Sequence, residues 1–275
     1  MKKYCNIVKN KLNTLIRNME GNVSAFVADP KRDFVRKSEL SFSKTMKFIL
    51  GMGSQTLGKE LMEFYDYDSK MVSVSAIVQR RAKILPAAFQ YLFHKLNDAF
   101  SQTDFFHGYR LLAVDGTDIH IPNIPDDHGT HYCANDISKG YNLMHLNALY
   151  DLLNRRYMDA VLQDSRSENE HSALINMLEN VKHSSIVIAD RGYEAYNTIA
   201  HLENKGLKYV IRIKTNIGIA QKFNIPADKE TDFTADFLLT RRQTNEVKYN
   251  PVSIDSLIQE WFWIFFRKAR KTLIQ

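Results

Sequence analysis

The spacing of apolar residues divides the chain into two kinds of sequence. In the first hundred residues the apolar positions recur at helical intervals. SELSFSKTMKFILGM has a Ser to cap a helix, an amphipathic repeat and a glycine stop. SVSAIVQRRAKILPAAFQYLFHKLNDAF is a second helical stretch, which Pro86 is expected to kink or divide. The pattern changes near Tyr109. YRLLAVDGTDIHIP has a short apolar run followed by alternation, the mark of a strand or a bent strand. NIPDDHGTHYCANDISKG has loop composition. YNLMHLNALYDLLNRRYMDAVLQD reads as two strands about a turn at Leu153–Arg156, although its first half also admits a helix. SENEHSALINMLENV predicts a helix capped by Ser167, with Glu168 and Glu170 in its first turn and Ala173, Leu174, Met177, Leu178 and Val181 on its buried face. SSIVIAD is a buried strand, RGYEAYNTIAHLENKG a helix closed by Gly206, and LKYVIRIK another buried strand.

Residues 109–214 therefore run strand, strand, strand, helix, strand, helix, strand. An antiparallel meander extended by two crossover units fits this order. Right-handed crossovers place the strand ending at Asp190 beside the one carrying Asp115. The expected class is α/β, with an all-helical N-terminal domain over 1–105, a core over 106–215 and a third region over 216–275.

Charge divides the chain in a similar way. Residues 1–110 hold 18 Lys and Arg against 10 Asp and Glu, residues 111–200 hold 6 against 13, and residues 201–275 hold 13 against 8. Basic flanks suit a polyanion such as DNA, and an acidic middle suits bound cations. The longest apolar run, WFWIFF, is far shorter than the roughly 20 residues of a membrane helix. No signal peptide is legible, so the expected location is the cytoplasm, at the nucleoid. Cys5 and Cys133 support neither a disulfide framework nor a CxxC metal pair.

Asp115 in LLAVDGTD and Asp190 in SSIVIAD each stand where an apolar strand meets a turn, with a glycine soon after, Gly116 directly after the first and Gly192 two residues after the second. A carboxylate there is costly unless paired or bound to metal. Two on adjacent strands would hold one or two Mg²⁺ or Mn²⁺ ions for phosphoryl displacement. AVDGTD, then IADRGYEAY 75 residues on, with meander and helix between, resembles the DDE insertion-sequence transposases, specifically the group named after insertion sequence four. The resemblance covers residues 34–250. It implies a ribonuclease-H-like core with Asp115 and Asp190 as the first two catalytic, metal-binding acids. Asp118 is a weaker contender, because three positions along a strand turns a side chain to the other face.

The resemblance further implies cleavage of the element's terminal repeats, transfer to target DNA, and a homodimer holding two ends. The family's third acid is a Glu in a Tyr-x-x-Arg-x-x-x-Glu pattern, which is not found in this sequence; Glu260, on an expected amphipathic helix with Trp261, Phe262 and Phe265, lacks the matching neighbours. A chain truncated or altered after about Asn250 is the sequence expectation. A non-catalytic DNA-binding remnant, acting as an inhibitor of an intact relative, is the alternative function. Candidate DNA contacts are Arg80, Arg81 and Lys83, which also read as a solvated helix face; Lys139 and Tyr141; Arg191 and Tyr193, the latter to stack on a base; and Arg212 and Lys214 on one face of a strand. His120, His128, His131 and Cys133 read as an ordinary polar loop. Glu168, Glu170 and His171 read as helix-start residues.

Overall fold

A computed structural model describes residues 2–101, 103–133, 138–181, 184–213, 231–235 and 262–266. The chain divides into two units at Ser101.

The first unit is helical: α1 (Lys2–Gly21), α2 (Phe42–Gly51), α3 (Leu57–Phe64), α4 (Val74–Arg81) and α5 (Pro86–Asp98). The side chain of Ser41 accepts from Lys44 N and caps α2; that of Ser73 accepts from Ala76 N and caps α4. Pro86 divides the second helical stretch, since it stands at the start of α5, where its missing N–H costs nothing. Ile16, Met19, Phe42, Met46, Ala88 and Leu92 form one buried cluster, and Phe48, Leu61 and Ile77 belong to a second.

The second unit contains a mixed sheet with two helices on one face. Its elements are β1 (Arg110–Ile121), β2 (His131–Tyr132), β3 (Tyr141–Asp151), β4 (Arg156–Asp164), α6 (Glu170–Leu178), β5 (Ser185–Ala189), α7 (Tyr196–Asn204) and β6 (Lys208–Ile211). β1 is central, antiparallel to β3 and parallel to β5; β5 is parallel to β6, and β4 and β2 both pair with β3. This is the ribonuclease-H-like arrangement: an antiparallel meander extended by two parallel crossover units. The core lies between the sheet and α6 and α7, where Leu112, Val114, Leu149, Leu174, Met177, Val187 and Leu202 are buried. All of LNALYD is strand, so the helical alternative for that stretch is not adopted.

Three local expectations are corrected. The cap of α6 is Asn169, not Ser167, because Asn169 Oδ1 accepts from Ser172 N. RGYEAYNTIAHLEN is not one helix: Arg191–Tyr193 form a short 3-10 turn and α7 begins at Tyr196. Phe262–Phe266, expected on a helix with Glu260, is a strand (β8) antiparallel to β7 (Thr231–Ala235); an aromatic run favours extended backbone over a helix. Glu260 itself lies outside the described residues.

Candidate catalytic site

The site begins with the parallel pairing of β1 and β5, whose last register pair is Val114 with Ala189. Asp115 and Asp190 are the next residue on each strand. Two residues 75 apart in sequence thus take adjacent backbone positions at one end of the sheet. β5 stops there and the chain turns into the 3-10 segment, while β1 continues beside β3 to Ile121. Both aspartates are exposed. Asp190 Oδ1 lies 3.6 Å from a guanidinium nitrogen of Arg212, itself largely exposed, so this end of the sheet already draws a cation. The oxygen donors of Asp115 and Asp190 are of the hard kind that Mg²⁺ and Mn²⁺ take, and the exposed pair fits such an ion.

The opposite side of β1 is occupied by a second polar group. Alternation turns Gly116 and Asp118 toward the face carrying α6, away from Asp115. Asp118 pairs in register with His145 on β3. The His145 imidazole is buried, with Nδ1 2.9 Å from Asp118 Oδ1 and 3.0 Å from Glu168 Oε2, and Nε2 3.3 Å from Glu170 Oε1. Burial opposes charge on this ring, yet the surrounding carboxylates, Asp118 first, raise its pKa above the ordinary histidine value. A chain of amides sets this geometry. Asn147 Nδ2 donates to Gln163 Oε1, which also accepts from Asn169 N, and Gln163 Nε2 donates to Asn169 O. The start of α6 is thereby tied to β3 and β4, with Glu168 and Glu170 on either side of the cap and both directed at His145.

The glycines following the two aspartates have a definite steric role. A Cβ on Gly116 would lie 2.5 Å from His145 Nε2 and 2.6 Å from Glu170 Oε1, and one on Gly192 would lie 3.4 Å from Glu170 Oε2. Gly116 and Gly192 therefore bracket the Glu170 carboxylate.

The DNA candidates fare unevenly. Arg191 is exposed beside Asp190, and Lys139 is exposed with its backbone oxygen accepting from Asn123 Nδ2. Tyr141 is 48% exposed and stacks on Tyr132 at 5.6 Å between ring centroids. Tyr193 is not placed to stack on a base: it is 2% exposed, turned inward by the 3-10 segment against His171. Burial first, then the charges of Glu170 and Asp115, push its hydroxyl well above the usual tyrosine range. Of the basic residues around α4, Lys83 is paired with Asp33 at 2.9 Å and Arg80 lies over the Phe34 ring, leaving Arg81 exposed. Lys214 lies outside the described residues. The loop before β3 is organised by polar groups: Asn142, wholly buried, exchanges hydrogen bonds with the backbone of Ile124, and its Oδ1 lies 3.0 Å from His131 Nδ1.

His145 was not singled out by sequence reasoning. Its signal is faint: a histidine on the buried alternation of LMHLNAL, opposite an acid whose partner strand is known only from the fold. Glu170 stands in the first turn of α6 as expected, Glu168 precedes the cap instead, and both face His145.

With this geometry in hand, comparison with known families is decisive: residues 106–264 match the family model described as transposase DDE domain. The chain belongs to this transposase family. A protein of Escherichia coli (strain K12) described as putative transposase InsZ is 27% identical over 143 residues, which cover 50% of this chain and 48% of that relative. The chain thus spans about half the length of the curated relative it matches. No helix among the described residues is long and apolar enough to cross a membrane.

Proposed function

We propose that this chain carries out the metal-dependent chemistry of insertion-sequence transposition, cleaving phosphodiester bonds at the element's ends and transferring the freed 3′ end to target DNA. The observation that supports this reading best is the β1–β5 register, which makes Asp115 and Asp190 neighbours at an open end of the sheet. These two residues would hold Mg²⁺ or Mn²⁺, which when bound supplies Lewis acidity at the scissile phosphate.

The chain's own groups account for the remainder. Arg191 directly follows the second aspartate and is free to meet a phosphate oxygen. Arg212 stands 3.6 Å from Asp190, a second cation beside that carboxylate. Lys139 and the exposed face of Tyr141 lie on the same core unit as further phosphate and base contacts. Arg80 and Arg81 offer contacts from the helical unit, which we assign to binding of the terminal repeats. Two ends must be held together for strand transfer, which calls for a homodimer.

The test is cleavage of DNA carrying the element's terminal repeats, with Mg²⁺ or Mn²⁺ and with chelator. Divalent-dependent nicking that disappears in Asp115→Asn and Asp190→Asn, with DNA binding retained, supports the assignment. Nicking that persists in both variants removes it. Repeat-specific binding without cleavage by the unaltered chain favours a non-catalytic DNA-binding role.

A further inference from the structure

We propose that Asp118, His145 and Glu168 form a binding site for one divalent transition ion of the zinc class, separate from the Asp115–Asp190 pair. The three ligand atoms lie within 4.8 Å of one another. Two carboxylate oxygens converge on a single imidazole nitrogen, at 2.9 and 3.0 Å from Nδ1. Ligand atoms about 2.0–2.1 Å from a zinc ion stand roughly 3.0–3.4 Å apart, so these contacts are near the spacing of a shared ion.

Charge points the same way. Asp118, Glu168 and Glu170 bring three negative charges to one imidazole, and a proton on that ring offsets only one. One N–H also cannot fully satisfy two carboxylates. A divalent ion meets both demands, and the nitrogen donor favours a transition ion over Mg²⁺ or Ca²⁺.

The second ring nitrogen supplies an independent observation. His145 is 6% exposed, and its Nε2 is buried without a hydrogen-bond partner, with Glu170 Oε1 3.3 Å away. Histidines that ligate metal through one nitrogen almost always give the other N–H to a carboxylate or a carbonyl, which fixes ring and tautomer. Glu170 stands where that carboxylate belongs, and the missing Cβ of Gly116 leaves room for it. Asp118 and Glu168 are half-exposed and provide the entry path. The site joins β1, β3 and the start of α6, so a bound ion would lock the helix cap to the strand whose other face carries Asp115.

The test uses the full chain, stripped with chelator and titrated calorimetrically with Zn²⁺ and separately with Mg²⁺. We expect one tight zinc equivalent that survives Asp115→Asn/Asp190→Asn, which disables the proposed catalytic pair, and that excess Mg²⁺ does not displace. Asp118→Asn/Glu168→Gln alters exposed side chains and preserves their shape; its circular dichroism spectrum should be unchanged. Its zinc affinity should fall at least a hundredfold, and that of Glu170→Gln by roughly tenfold. Zinc should also shift the His145 Nδ1 resonance in nitrogen-15 spectra. The proposal is overturned by equal zinc affinity in the unaltered chain and Asp118→Asn/Glu168→Gln, by loss of the tight equivalent in Asp115→Asn/Asp190→Asn, or by a His145 that stays doubly protonated in saturating zinc.

Discussion

Gly116 and His145 meet across the β1–β3 boundary with no room between them: a Cβ on the glycine would lie 2.5 Å from the imidazole Nε2 and 2.6 Å from Glu170 Oε1. His145 is buried and cannot give way, whereas the partly exposed Glu170 carboxylate can swing aside, so the imidazole sets the cost. Gly116→Ala should therefore destabilise the core unit by about 1–3 kcal/mol, as overpacking does, measured as a lower urea midpoint. Truncating the histidine removes the clash with the imidazole, so the same substitution should cost less in a His145→Ala background. Strictly additive costs would mean that the crowding is not felt.

The open end of the sheet responds differently. Asp115 and Asp190 are exposed, and no packing depends on them. Asn at either position should leave thermal stability within about 0.5 kcal/mol. Divalent-dependent DNA cleavage should fall by at least roughly a hundredfold. A variant that loses activity only because it unfolds would contradict this separation of roles.

Arg110 and Asp151 form a buried pair at the opposite end of β1, with Nε 3.2 Å from Oδ2. Asp151 Oδ1 also accepts from Asn154 N, and so organises the turn between β3 and β4. Asp151→Ala strands a buried guanidinium and frees that turn. The expected cost is about 3–5 kcal/mol, a large share of the roughly 5–15 kcal/mol that holds a domain together. Chemical denaturation measures it, and a loss under about 1 kcal/mol would show the pair to be dispensable.

In the helical unit, the hydrogen bond from Lys83 holds Asp33 below its ordinary pKa of 3.8, despite burial, which opposes the charge; backbone donation from Asp29 adds to the effect. The folded pKa is depressed, so the stabilisation is present above about pH 4 and is lost as pH falls through the lowered folded value. Asp33→Asn should lower the thermal midpoint at neutral pH and unfold less steeply in acid, with the two proteins converging at the lowest pH. Parallel pH profiles would refute the coupling.

Much of the fold is legible in the sequence because strand and helix periods differ and the adjacent parallel strands carry short apolar runs. LLAV, SIVIA and the face of Ala173, Leu174, Met177 and Leu178 announce themselves. Local chemistry that depends on a single side-chain contact is less legible. Ser167 and Asn169 are both competent caps for α6, and Asn169 takes the position because Gln163 ties its backbone to β4. Tyr193 reads as an exposed aromatic after an acid, but a three-residue turn sends its ring into the core. Lys83 reads as free for phosphate, and Asp33, fifty residues away, takes it.

Periodicity along the chain sufficed for the order of the main core strands and helices, though not for β2 in a loop-like stretch, and the cost of a charge beside buried backbone marked the two acids that end apolar runs. Only the tertiary structure decided which residues share a face and a strand boundary. The β1–β5 register makes Asp115 and Asp190 neighbours, and the β1–β3 register sets Asp118 against His145. Such pairings arise from hydrogen bonds between distant segments, and no local pattern of residues encodes them.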